Sequence, residues 1–218
     1  MILRYLGHAA FELELKDGRR IVFDPYESGS YNGALGYGPI TGDHDIAVVS
    51  HEHPDHYHKK IASKAGKVIK APGMVDLDGL RITSIETFHD DSEGKDRGRN
   101  LVSIVEAEGL KIAHLGDLGH RLTSAHVTAL KGVDVMLIPV GGFFTIDAAA
   151  AKRIVEDFRP RIVVPMHYKT GKCGFPIAPV DEFTMLMGEF EAPGSSELEV
   201  EAGSIPDGPR VVVLDPAL

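Results

Sequence analysis

The segment His51-Glu52-His53-Pro54-Asp55-His56 places four residues of metal-ligating type within six positions, directly after the apolar run Ile46-Ala47-Val48-Val49. In an extended chain alternate side chains share a side, so His51 and His53 can grip one ion, with Asp55 further along the same side. His56 breaks that alternation, which suits a chain already turning after Pro54 towards a second ion. Imidazole nitrogens and carboxylate oxygens match zinc and also accept manganese or iron. Four more segments end a strand-like run with a ligand type: His8 after Leu6, His89 after Phe88, Asp117 after Leu115 and His167 after Val164. Strands of one polarity would bring all of them to one edge of a sandwich, where loops converge on a rigid scaffold. A pair of dications needs about six protein ligands and a bridge. Five histidines with Asp55 and Asp117 meet that need. Water held between two such ions loses a proton near neutral pH, and the ions polarise a carbonyl or phosphoryl oxygen. Asp55 would then orient the nucleophile or serve the leaving group.

Other residues are weaker candidates. His120, three positions beyond Asp117, is a candidate proton donor to a leaving group, its structural alternative being a turn cap. His8 is expected close to the ions without ligating, or hydrogen-bonded to Asp24. Arg97 and Asn100 in a polar loop, and Lys169 after His167, are candidate contacts for an anionic substrate. His44, His58, His114 and His126 read as structural, and Met185 and Met187 as core packing on a helix.

The elements that must position these groups follow from periodicity and punctuation. Residues 2–6, 11–15 and 21–23 read as a short antiparallel meander with a turn at Asp17-Gly18. Tyr26 to Gly42 carries no period and reads as a loop, of the length that forms a flap over a site. Helices are predicted over Pro54 to Ala65, from Thr123 or Ser124 to Gly132, over Ile146 to Phe158 with Thr145 as cap, and over Pro179 to Phe190. Strands are predicted at residues 68–69, 80–88, 101–107, 110–115, 133–139, 162–165, 198–200 and 211–214. Early hairpins in each half with later interleaved helices imply an α/β (α+β) fold, a four-layer αββα sandwich.

At 218 residues the chain suits a single domain over 1–218. A net charge of −9 argues against nucleic-acid binding, which needs clustered Lys and Arg. No apolar run approaches the ~20 residues of a membrane span, no secretory signal is visible, and the single Cys173 needs no oxidising compartment. A cytoplasmic protein acting on a small molecule is expected, and a homo-oligomer is compatible with the sequence.

The HEHPDH string, the later His89, the glycine-flanked Asp117 and the final His167 resemble, in order, the metallo-β-lactamase superfamily across nearly the whole chain. YLGHAAF, FDP, HLGDLGH, LIPVGGFFTID and PMHYKTG are most similar to its small ascorbate-6-phosphate-lactonase-like hydrolases. The resemblance implies one metal on His51, His53 and His89, a second on Asp55, His56 and His167, and Asp117 as the bridge. It implies hydrolysis of an ester, lactone or phosphoester with two divalent ions, zinc first. A phosphodiesterase and a di-iron redox or oxygen-binding protein are the alternatives. The stretch around His89 lacks the TPGH of glyoxalase II, there is no nuclease insertion, and Cys173 is not placed as in antibiotic-hydrolysing relatives.

Overall fold

The computed structural model describes residues 1–205 and 207–218, with Ser124 and Ala125 described by their backbone. Strands β1 (Ile2–Gly7), β2 (Ala10–Glu14) and β3 (Arg20–Phe23) form the expected meander. Strand β4 (Ile46–Val48) joins β3 in parallel, and helix α1 (Lys59–Ala62) leads to the parallel edge strand β5 (Lys67–Ile69). A second sheet begins with the hairpins β6 (Gly73–Leu77), β7 (Leu80–Phe88), β8 (Arg99–Ala107) and β9 (Leu110–His114). Helix α2 (Ser124–Leu130), parallel strand β10 (Val135–Pro139), helix α3 (Ala148–Phe158), parallel strand β11 (Ile162–Met166) and helix α4 (Asp181–Met187) follow. Strand β12 (Glu197–Glu199) returns to β1, and β13 (Arg210–Val211) closes the second sheet beside β11. The sheets run β12-β1-β2-β3-β4-β5 and β13-β11-β10-β9-β8-β7-β6.

Period-2 alternation builds the core. Leu3, Tyr5, Phe11, Leu13, Ile21, Phe23, Ile46 and Val48 pack into the main cluster with Ile82, Ile104, Ile112, Leu137 and Val164 of the second sheet. Each such side chain taken from water contributes about 1.5–3 kcal/mol. The alternate residues Ala10, Val22 and Ala47 face outward and are covered by Tyr26, Leu35 and Tyr37 of the long loop and Ala62 of α1. Strands β10 and β11 are buried throughout because α3 covers their outer face, as parallel strands require. The αββα sandwich is therefore the observed architecture, with a thin outer layer on the first sheet. Among the described residues no helix is long and apolar enough to cross a membrane.

The pairing directions fix the rim. Strand β1 runs with β3 and β4, and β7 runs with β9, β10 and β11, so the ends carrying His8, His51, His89, Asp117 and His167 lie at one edge of each sheet. The His167 amide donates to the His8 carbonyl at 2.8 Å and ties the two edges together.

Several element boundaries differ from expectation. The helix predicted from Pro54 is a tight turn, with the His56 and Tyr57 amides donating to the His53 carbonyl, and only Lys59–Ala62 is helical. The amides of Glu27 and His58 bond to Pro54 and Pro25, which holds this backbone against the sheet. Helix α3 begins two residues late, the Ile146 carbonyl accepting from the Gly142 amide at 3.2 Å instead of from within the helix; Asp147, not Thr145, caps it by accepting from Ala150 at 2.8 Å. Gly188, at a φ of 86° that only glycine adopts readily, stops α4 short of Phe190. Met185 on that helix is 74% exposed, so it is not core, whereas Met187 is packed. Thr123 is the N-cap residue of α2, and a Ser124 hydroxyl cap lies outside the described side chains. Edge strand β6 is mostly exposed and its sequence carries little hydrophobic alternation, so periodicity does not mark it.

Candidate metal centre

Asp117 stands at the middle of the rim, on the turn after β9. Its Oδ2 lies 3.1 Å from His56 Nε2, 3.1 Å from His89 Nε2, 3.3 Å from His167 Nε2 and 3.9 Å from His51 Nε2. Three overlapping groups have donor atoms mutually within 4.8 Å: His51, His53 and His89; His51, His56 and Asp117; and His8, Asp55, His56 and His167. Every member except the half-buried His53 and His51 is buried. His51 Nε2, His56 Nε2, Asp117 Oδ1 and both ring nitrogens of His167 are buried without a hydrogen-bond partner. Such atoms each cost about 1–3 kcal/mol when nothing satisfies them. Convergent, unpartnered imidazole and carboxylate donors are what a dication requires, so the residues present fit one.

A layer behind these donors fixes their direction. Asp24 Oδ2 accepts from His56 Nδ1 at 2.8 Å and from the Ser50 hydroxyl at 2.6 Å, while Oδ1 accepts from the Ser50 amide at 2.7 Å. The Ser50 hydroxyl oxygen is 2.9 Å from His51 Nδ1. One carboxylate thus orients two imidazoles so that both Nε2 atoms face the rim, the arrangement by which outer groups set metal-ligand tautomers. Asn100 accepts from the Asp117 amide at 2.9 Å and donates to the Leu115 carbonyl at 3.0 Å, holding the turn. His114, read from sequence as merely structural, bonds to the Ala9 carbonyl at 2.8 Å, accepts from the Gly116 amide at 3.1 Å and stacks on Phe23. It is therefore part of what holds Asp117 in place. His8, Asp24 and His167 have φ of 56°, 43° and 52°, left-handed backbone that non-glycine residues adopt at a cost of about 1–3 kcal/mol and that concentrates at functional sites.

Burial lowers the pKa of His8 to about 4 and of His51 to about 3, which leaves these imidazoles neutral with lone pairs free. Burial pushes His56 the same way, but the carboxylates of Asp117, Asp55 and Asp24 outweigh it and raise His56 well above the ordinary range. Burial would raise Asp117 as well; the adjacent His167 and His56 hold it well below the usual carboxylate range. Carboxylates that hold a proton on an imidazole in this way would favour a cation in its place.

Comparison with known proteins decides the family. Residues 2–167 match the sequence profile of the beta-lactamase superfamily domain. The chain belongs to the metallo-β-lactamase superfamily. A UPF0173 metal-dependent hydrolase of Thermococcus onnurineus is 33% identical over 213 residues, covering 86% of this chain and 92% of its own. A crystal structure from Thermotoga maritima, described as a Zn-dependent hydrolase of the superfamily, superposes with a TM-score of 0.79 at 36% identity, covering 98% of this chain and 97% of its own. Igni18, a metallo hydrolase from Ignicoccus hospitalis, gives 0.66 at 26% identity over 92% and 99%. The protein is a metal-dependent hydrolase of this superfamily.

In the hydrolase a cavity of about 490 Å³ opens over His53, Asp55, His89 and Asp117. Arg97 lines it, its guanidinium 5.7 Å from the Phe144 ring centre and without an ion-pair partner among the described residues. The Arg97 loop is held from within by Asp90, whose carboxylate accepts from the amides of Ser92, Gly94, Asp96 and Arg97. Among the sequence candidates for substrate or proton-transfer roles, His8, Asp24, Asn100, His120 and Lys169 do not line this cavity. His120 accepts from the Phe88 amide at 3.0 Å and bonds to the Arg121 carbonyl at 2.8 Å, so both ring nitrogens face backbone. Asn100 is fully buried behind Asp117 and does not line the cavity. Lys169 donates to the Phe175 carbonyl at 2.8 Å, bracing a loop. His8 is 3.2 Å from Asp55 Oδ2 and does not bond to Asp24. Sequence reasoning missed Tyr31, whose hydroxyl donates to Asp55 Oδ1 at 3.1 Å. Its only signal was its place in the flap-like loop.

Proposed function

We propose that this single-domain hydrolase holds two divalent cations, zinc by its donor set, and cleaves an ester or lactone bond of a small substrate. His51, His53 and His89 would hold one ion, Asp55, His56 and His167 the other, with Asp117 between them. Bound there, such ions supply Lewis acidity and lower the pKa of water. The chain's own groups do the rest. Asp24 and Ser50 keep His51 and His56 aimed, and Asn100 and His114 keep Asp117 in register. The Asp55 carboxyl lies well below the ordinary range: burial opposes this, but His56 and His8 outweigh it, so Asp55 serves as an acceptor that orients the attacking water. Burial and the neighbouring Asp55 push the Tyr31 phenol up, so it keeps its proton and holds it at the cavity wall. The observation that carries this reading is the convergence of unpartnered buried donors on Asp117.

Elemental analysis of protein purified without chelators should find about two zinc or manganese ions per chain, and the same protein should hydrolyse members of a lactone and ester panel faster than bis(p-nitrophenyl) phosphate. Less than one ion per chain after zinc loading, or faster phosphodiester cleavage, would overturn it. Bound iron with visible absorbance would point to the di-iron reading.

Arg97 is proposed to meet an anionic group on the substrate, because the Asp90-braced loop presents its guanidinium unpaired at the lip. Arg97→Gln should raise KM about tenfold for a carboxylate-bearing ester and leave the matched neutral ester unaffected. Equal changes for both would assign Arg97 to packing.

A further inference from the structure

The wall of the cavity is aromatic. Phe175, 9% exposed, lies at its centre. Tyr31 meets it at 5.3 Å between ring centres and 82°, and Phe144 at 5.9 Å and 76°. Phe143 continues the surface outward, 4.7 Å from Phe144. Phe143 has φ of 61° and is 63% exposed, and Tyr31 has φ of 53° and is 46% exposed. A strained backbone that holds a large ring out in water at the mouth of a site gains nothing from core packing. The loop bearing Tyr31 is not free to swing. Leu35 pairs with Cys173, the Gly36 amide donates to Lys172 at 2.7 Å and the Gly174 amide to Ala34 at 2.6 Å, so Tyr31 and Phe175 are set against each other by backbone bonds. The flap expected from sequence is therefore a fixed wall. Apart from the Tyr31 hydroxyl, these side chains offer no hydrogen-bonding group, so this wall presents ring edges and faces, while the polar lining, Arg97 included, lies elsewhere in the cavity.

Resting on the hydrolytic reading above, we infer that the substrate carries a flat apolar group, an aryl ring or its equivalent, next to the bond that is cleaved. The rings of Tyr31, Phe144 and Phe175 take that group edge and face. The scissile bond then reaches the floor formed by His53, Asp55, His89 and Asp117.

Two measurements on the zinc-loaded protein test this. In a pH-stat assay, methyl phenylacetate should be cleaved with a kcat/KM at least about tenfold above methyl acetate, and α-phenyl-γ-butyrolactone likewise above γ-butyrolactone. By calorimetry, phenylacetate should bind at least about tenfold more tightly than acetate. Phe144→Ala should bring both ratios towards unity. Hydrolysis of both members of each pair at equal efficiency, or equal affinity for the two carboxylates, would overturn the inference while sparing the hydrolytic reading. If no ester or lactone is cleaved, that reading falls, and the carboxylate affinities still decide whether the aromatic wall selects a ring.

Discussion

Asp117→Asn should cost the protein metal at both proposed positions and lower hydrolysis by roughly 10²–10⁴-fold, the equivalent of about 3–5 kcal/mol for removing one partner of a buried charged set. The substitution keeps shape and volume, and the turn that carries residue 117 is held by the backbone amide on Asn100, not by the carboxylate. What it removes is the negative charge that four imidazoles approach within 3.9 Å. A defect at one position alone would leave the other ion in place. Metal content by mass spectrometry, measured beside turnover, distinguishes these outcomes. Unchanged metal and rate would mean that Asp117 does not stand between two ions.

Gly119→Ala should unfold the rim. A Cβ at this position would sit 2.3 Å from the His89 carbonyl carbon and 2.4 Å from the Asp90 nitrogen, closer than real Cβ contacts come. Those are backbone atoms, and the Gly119 amide also donates to the Phe88 carbonyl at 2.9 Å, so neither segment can swing aside. Either the turn after Asp117 or the strand end before His89 must move, and both carry proposed ligands. The expected loss is about 3–5 kcal/mol, a fall in Tm of about 10 °C for a domain of this size, together with weaker metal retention. Gly171→Ala, whose Cβ would meet nothing within 4 Å, is the control and should change neither quantity. Calorimetric melting of both variants settles the point. A Gly119→Ala protein as stable as the parent would show that the two segments are not locked together.

Both expectations depend on contacts between segments far apart in the chain, and the limits of sequence reading lie there. Strand ends were legible because apolar alternation and the ligand types that interrupt it are local: Ile46–Val48 before His51, Leu80–Phe88 before His89 and Leu110–His114 before Asp117 all stand where periodicity put them. Helix starts were less legible. The segment after Pro54 has helix-compatible residues, but its backbone bonds across to Pro25 and Glu27, and that tertiary bonding outweighs propensity. The same applies to Ile146, whose carbonyl accepts from Gly142 and so does not serve α3.

Residue types and their spacing along the chain were enough to specify a sandwich with a rim of imidazoles and carboxylates, because each of those features repeats or ends within a few residues. Which nitrogen of each histidine faces inward, that Asp24 directs two of them, that His120 and Asn100 bond to backbone, and that Tyr31, Phe144 and Phe175 form one wall came only from the packed chain. Orientation and pairing are set by partners tens of residues away, and a linear pattern holds no record of the direction in which a side chain, once placed at the rim, must turn.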